Sequence, residues 1–272
     1  MYILISLLVV LLFSTVLNKI VLNMEKEKLN YPGKLIEIDG HKMHIVGSGT
    51  GIPTVVMTCG NGAPCAYTEF FPIESKISQT TRTCIYERPG YGWSEFTSNT
   101  RDTEQIVYDL KRLLEKAGEK PPYLFVAHSM GAMEAILYTH KYPQEVMGII
   151  LIDGTSPYKH IYHSKPSIPN IGIQVFRFLN YIGLIRLAVE LKIIPLINQR
   201  IKRLPNNIGK IDKEMIYRNF LNDMVIKEGE SLKSIALKMN NQIDIKNKPI
   251  TLFIADSSLN KLPGWRGRRI AY

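Results

Sequence analysis

Cysteine is scarce in this chain: three of 272 residues, Cys59, Cys65 and Cys84, an odd number with no C-x-x-C pair and no metal-ligand spacing to histidine. That composition implies neither a disulfide framework nor a zinc site. Acidic residues are also short, 24 Asp and Glu against 34 Lys and Arg, which leaves a formal net charge of +10. Such a surplus favours anionic membrane surfaces or nucleic acid. No basic helix interleaved with aromatics and no nucleic-acid motif is present, so no nucleic-acid partner is expected, and a solvated lysine-rich surface accounts for the charge. What remains is ordinary globular material, 45% hydrophobic and 21% charged. The length allows one domain with a large insertion or two small domains.

Residues Tyr2 to Leu17 carry no charge and are mostly Leu, Ile and Val; the apolar character resumes at Ile20-Val21-Leu22 after Asn18 and Lys19. A bilayer takes ~20 such residues, and a terminal lysine can reach the headgroups. There is no basic n-region and no small-x-small cleavage site. Residues 1–22 are therefore expected to form an uncleaved, single-pass N-terminal membrane anchor, with a removed signal peptide or a buried core helix as alternatives. Lys19, Lys26 and Lys28 follow the run and none precedes it. This tends to place the globular part in the cytoplasm, but one short flank leaves the side of the membrane open.

From Lys34 the period shortens. Leu35 to Ile38 and Lys42 to Val46 alternate on either side of Asp39-Gly40, a hairpin signal. Pro53 to Met57 and Cys84 to Tyr86 read as buried strands, and a helix is expected around Tyr67 to Ile77. Thr103 to Lys116 has apolar Ile106, Val107, Leu110, Leu113 and Leu114 at helical spacing, with Thr103 as its expected cap. Met147 to Ile152 and Pro249 to Ala255 are further strands. Strands alternating with helices of this length predict an α/β fold with a mainly parallel sheet covered on both faces. Residues 155–248 break the rhythm, being Ile-, Leu-, Lys- and Asn-rich and interrupted by Pro166, Pro169, Pro195 and Pro205. They read as a helical lid inserted between a core of residues 34–154 and 249–272, or equally, on pattern alone, as more of the main domain.

The chemistry centres on Tyr123 to Gly131, Y-L-F-V-A-H-S-M-G. An apolar run meets Ser129 between Ala127 and Gly131, and Met133, Ile136 and Leu137 follow at helical spacing. Small residues two before and two after the serine are what a sharp strand-to-helix elbow requires. Two further stretches flank it in order: C-G-N-G-A-P from Cys59, and E-R-P-G-Y-G-W-S from Glu87.

Together these motifs resemble the α/β-hydrolase superfamily over roughly residues 34 to 258. The elbow A-H-S-M-G matches the family's small-x-Ser-x-Gly, with Ala127 for the first glycine. The Gly60 loop stands where the family often has His-Gly, with Cys59 for the histidine. The Arg88-Pro89-Gly90 segment is similar to the Asp-Arg-Pro-Gly loop of the esterase, dehalogenase and epoxide-hydrolase branches, with Glu87 for the aspartate. The resemblance implies Ser129 as nucleophile and the backbone N–H groups of Asn61 and Met130 as oxyanion donors. A serine at the elbow, where epoxide hydrolases and dehalogenases use aspartate, implies acyl transfer through an acyl-enzyme on a small-molecule ester or amide. No metal or organic cofactor is expected.

Two aspartates can serve as the acid. Asp153 follows the strand after the elbow, 24 residues beyond Ser129. Asp256 ends the next strand, although alignment with the family's strand-Gly-x-x-Asp puts the acid position on Ser258. Asp153 is the preferred reading. The family's order is serine, acid, histidine. The six histidines are His41, His44, His128, His140, His160 and His163, and none follows Asp256. His128 adjoins the nucleophile but is expected to point away from its hydroxyl, and His160 and His163 open the lid. The 16 residues after Asp256 are too few for the family's last strand and helix, and Arg266, Arg268 and Arg269 crowd them. The ending, from about Gly264 or Gly267, is therefore expected to depart from the family through truncation or a shifted frame. The first reading is thus a membrane-anchored serine hydrolase, and the second a catalytically inactive hydrolase-fold protein or fragment lacking the triad histidine.

Overall fold

The structure is a computed structural model that describes residues 2–28, 31–162, 170–240 and 243–254. Helix α1 (Tyr2–Lys28) comes first. Strands β1 (Lys34–Ile38) and β2 (His41–Ser48) then form the expected hairpin. Asp39 and Gly40 both take positive φ, 46° and 92°, as a two-residue turn that follows the strand twist requires. Strand β3 (Thr54–Thr58), helix α2 (Ala66–Ile77) and strand β4 (Thr83–Tyr86) follow, with every residue of both strands buried. Next come α3 (Thr103–Ala117), β5 (Tyr123–His128), α4 (Gly131–Lys141) and β6 (Val146–Ile152). After the short α5 (Pro157–Tyr162), helices α6 (Asn170–Tyr181), α7 (Leu184–Glu190), α8 (Pro195–Lys202), α9 (Asn206–Asn219) and α10 (Asp223–Met239) precede β7 (Ile250–Phe253).

The seven strands form one sheet in the order β1-β2-β4-β3-β5-β6-β7. Pairing is antiparallel at β1–β2 and β2–β4 and parallel across β4, β3, β5, β6 and β7. Strand side chains alternate between the faces. Val56, Phe125 and Leu151 join Ile106, Leu110 and Ile136 of α3 and α4 in one core layer. Val55, Met57 and Val126 meet Phe70 of α2 in the other. Both faces are covered, so the parallel strands read as apolar runs. One expectation is corrected at α3: its cap is Asp102, one residue before Thr103, whose carboxylate accepts from the Gln105 N–H at 2.9 Å.

The chain divides into two compact units, one of residues 1–32 and 166–222, the other of residues 33–165 and 223–272. Two of the three boundaries, at 165/166 and 222/223, therefore fall inside the stretch expected to be a lid. Residues α5 and α10 belong to the sheet unit, where Ile235, Ala236 and Met239 of α10 join the core layer of α3 and α4. The reason is apolar patterning: α10 has a face to bury, and the sheet offers one.

In the helical unit, Ile185, Val189, Ile216 and Tyr217 form the core, with Leu22 of α1 packed against it. The polar residues of α1 fix it there. Ser14 Oγ donates to the Ile182 carbonyl at 2.6 Å and Asn18 Nδ2 to that of Asn180 at 3.1 Å. Glu25 receives a two-pronged bond from Arg186 at 2.7 and 2.8 Å. Among the described residues no single helix is long and apolar enough to cross a membrane, so the single-pass anchor expected over residues 1–22 lacks support. The bent pair Ile171–Tyr181 and Leu184–Glu190, at 75°, has the length and composition only when taken together.

Candidate active site

Strand β5 runs into α4 through Ser129, which takes φ 50°. That region is costly for a non-glycine residue and persists only where the surroundings hold it. They do so through the backbone: the Ser129 N–H donates to the Ile152 carbonyl at 3.2 Å, and the Ser129 carbonyl accepts from the Thr155 N–H at 3.0 Å. Two glycines permit the close approach. A Cβ on Gly131 would stand 2.6 Å from the Thr58 carbonyl oxygen, and one on Gly60 2.9 Å from Ser129 Cβ. The spacing Ala127-x-Ser129-x-Gly131 thus has the expected steric cause. Gly60 brings its loop against the serine.

Asp153 leaves the neighbouring strand at the same sheet edge, since His128 pairs with Ile152 and the next residues are Ser129 and Asp153. It also takes positive φ, 48°, and its N–H donates to the Phe253 carbonyl at 2.7 Å. The fold therefore brings Ser129 and Asp153 to adjacent positions. Asp256, Ser258, His163 and the arginine-rich ending lie outside the described residues.

The Arg88-Pro89-Gly90 segment works as a brace. Glu87 is buried and accepts from the Ala66 and Tyr67 N–H groups at 2.8 and 3.0 Å and from Cys65 Sγ at 3.1 Å, so it satisfies the start of α2. Burial pushes its carboxyl up, against the pull of those donors. Gly92 (φ 49°) has to be glycine, because a Cβ there would stand 2.4 Å from Glu87 Cδ. Arg88, also buried, donates to the carbonyls of Cys59 at 2.8 Å and Gly60 at 3.0 Å.

Arg88 is held in turn by carboxylates the sequence did not connect to it. Its Nε lies 2.8 Å from Glu228 of α10, and its Nη1 3.4 Å from Glu134 of α4. Glu228 also faces Arg101 at 3.6 Å and accepts from the Tyr91 hydroxyl. Burial alone would raise the Glu228 carboxyl, but Arg88 and Arg101 outweigh it and hold the group below the ordinary carboxylate range. Asn61 completes the network, Nδ2 donating to the Val225 carbonyl at 2.9 Å and to Glu228 at 3.2 Å. Its side-chain amide is thus engaged within the fold. Met130 sits at the start of α4, among the first-turn N–H groups that have no intrahelical acceptor.

Three of the described histidines, His128, His140 and His160, bond to other groups. His128 Nδ1 is 2.7 Å from Glu69 Oε1, and a Cβ on Gly60 would lie 3.4 Å from both that nitrogen and Ser129 Oγ. His140 Nδ1 accepts from the Asp244 N–H at 3.0 Å. His160 Nε2 is 2.9 Å from Thr155 Oγ1, and burial, aided by Lys159, lowers its pKa to about 4. The three cysteines are buried and free. Glu228 and Glu69 are the residues sequence reasoning missed; a carboxylate 140 positions from Arg88 leaves no local signal of the pairing.

An elbow serine after the fifth strand, a glycine loop against it and this strand order decide the fold. The chain has the α/β-hydrolase fold. A family model described as alpha/beta hydrolase fold matches residues 54–172. The uncharacterized protein YbdG of Bacillus subtilis is 27% identical over 242 residues, covering 89% of this chain and 68% of YbdG. Among solved structures, the thioesterase domain from the curacin biosynthetic pathway superposes with a TM-score of 0.58 at 17% identity, covering 89% of each chain. The epoxide hydrolase of Bacillus megaterium does so with a TM-score of 0.58 at 15% identity, covering 85% of this chain and 86% of that one. At those identities the likeness is one of fold.

Proposed function

We propose that this α/β-hydrolase-fold protein is a serine hydrolase that cleaves a small-molecule ester or amide through an acyl-enzyme. The observation that carries the reading is Ser129 itself, an L-residue held at φ 50° with Gly60 against its side chain. Strain at one position, maintained by flanking hydrogen bonds, is the mark of a presented nucleophile. In this reading Ser129 Oγ attacks the carbonyl carbon, and the oxyanion is met by the backbone N–H groups of Met130 and Asn61. Asp153, at the same edge, is the acid that orients a base.

The test is release of alcohol from a short-chain activated ester by the full chain. Turnover lost in Ser129→Ala supports the proposal; equal rates from the two proteins sink it. Asp153→Asn is expected to lower kcat by roughly 10³-fold, with little change in KM.

A second reading is favoured by one observation: His128 is bonded to Glu69 and His160 to Thr155, which gives both imidazoles partners of their own. On that reading the fold binds its ligand without turning it over. Saturable binding of a non-hydrolysable ester analogue with no turnover would establish it.

A further inference from the structure

We infer that the helical unit of residues 1–32 and 166–222 docks on an anionic lipid surface, with α1 lying in the interface and not crossing the bilayer. The sequence of α1 is apolar nearly all round, and its described side chains are covered on one side only. Leu11, Ser14, Thr15, Asn18, Leu22 and Glu25 are buried or half-buried against the unit. Between them, at spacings of three and four, an outward stripe runs through Val9, Leu12, Phe13, Val16, Ile20 and Met24. Val9, Leu12 and Phe13 are 60%, 68% and 69% exposed. Phe178 of α6 and Leu184 and Leu187 of α7 add exposed apolar surface to the same unit. An exposed apolar helix stripe is the kind of surface that marks an interaction site.

Charge identifies the occupant. The unit carries twelve Lys and Arg against five Asp and Glu, so +7 of the chain's +10 resides in 89 of its 272 residues. Apolar side chains rimmed by lysine and arginine suit the headgroup boundary of an anionic membrane, each basic residue adding attraction that salt screens. Lys19 and Tyr181 mark the boundary: the ammonium stands 4.9 Å from the ring centroid, and both side chains are exposed. Lysine and tyrosine are the pair that settles at headgroup depth. Beside them a cavity of about 550 Å³ is lined by Lys19, Arg177 and Arg218, a basic recess for a lipid phosphate. A second copy is the less suitable partner, because pairing two such faces would set +7 against +7. A crossing helix is the less suitable geometry, because Ser14, Asn18 and Glu25 would have to leave Ile182, Asn180 and Arg186.

Flotation of the full chain with extruded vesicles tests this, using phosphatidylcholine alone and phosphatidylcholine mixed with phosphatidylglycerol. The expected result is flotation with the mixed vesicles, reduced by high salt and at least about tenfold weaker with phosphatidylcholine alone. Leu12→Glu with Phe13→Glu is expected to weaken flotation by about tenfold or more, since each removes a large apolar side chain from the interface. Both positions face outward, so unchanged circular dichroism should show the variant folded. Arg177→Gln with Lys19→Gln should weaken binding to the mixed vesicles alone. Absence of flotation overturns the inference, as does a double-glutamate variant that floats like the parent. Resistance to alkaline carbonate overturns it in favour of a spanning anchor. A dimer dispersed by the double-glutamate change, with no vesicle binding, overturns it in favour of self-association.

Discussion

Gly92 and Arg88 show how much of this site is decided one residue at a time. At φ 49° and with Glu87 Cδ 2.4 Å from where its Cβ would be, Gly92→Ala meets both backbone strain and a collision with a buried carboxylate. It is expected to lower unfolding free energy in urea by more than about 2 kcal/mol. Arg88→Met leaves Glu228 and Glu134 buried and facing an apolar side chain, and removes the donors from the Cys59 and Gly60 carbonyls. A loss of about 3–5 kcal/mol is expected by the same measurement; less than about 1 kcal/mol would show that the Gly60 loop does not depend on it. His160 gives a pH signature. Its pKa in the fold is about 4 against an ordinary 6.5, chiefly because of burial. Between those values the unfolded chain binds the extra proton, so stability falls as pH falls from about 6.5 to 4 and levels off below. Allowing for its partial exposure, about 1–2 kcal/mol of that slope should vanish in His160→Gln.

At the scale of elements, helix ends and strand ends carry the information. The Asp102 carboxylate is held below its ordinary range, first by the Gln105 N–H it accepts. Asp102→Ala should cost about 1 kcal/mol, read from denaturant midpoints, whereas Thr103→Ala should cost less because Thr103 is not the cap. The apolar period of α3 was legible in the chain. Its cap was not, because Asp and Thr are both good caps and stand side by side. The β5–α4 elbow was legible for a different reason: Ala127, Ser129 and Gly131 are within five residues of one another, so their steric relation is written locally. Asp153 was legible as the end of a strand. That it shares an edge position with Ser129 depends on the register of β5 against β6.

For the whole molecule, the chain divides into two compact units. Residues 1–32 belong with residues 166–222, and α10 belongs with the sheet. Each unit has its own core, so heating is expected to give two calorimetric transitions, not one. Arg200, bonded to the buried Asp212 at 2.8 and 2.9 Å, is confined to the helical unit. Arg200→Met should therefore lower one transition and Arg88→Met the other; if either moves both equally, the cores are not separate cooperative units.

What this sequence determined by itself is what short-range sterics and periodicity can encode. The hairpin at Asp39-Gly40, the apolar runs of the strands and the elbow at Ser129 all depend on residues within a few positions of one another. The tertiary structure alone decided the partners: Glu228 with Arg88, Glu69 with His128, α1 with the helices that follow α5. Each of these joins residues tens to well over a hundred positions apart. Such a contact depends on where the sheet and helices set down their ends, and no local pattern records that.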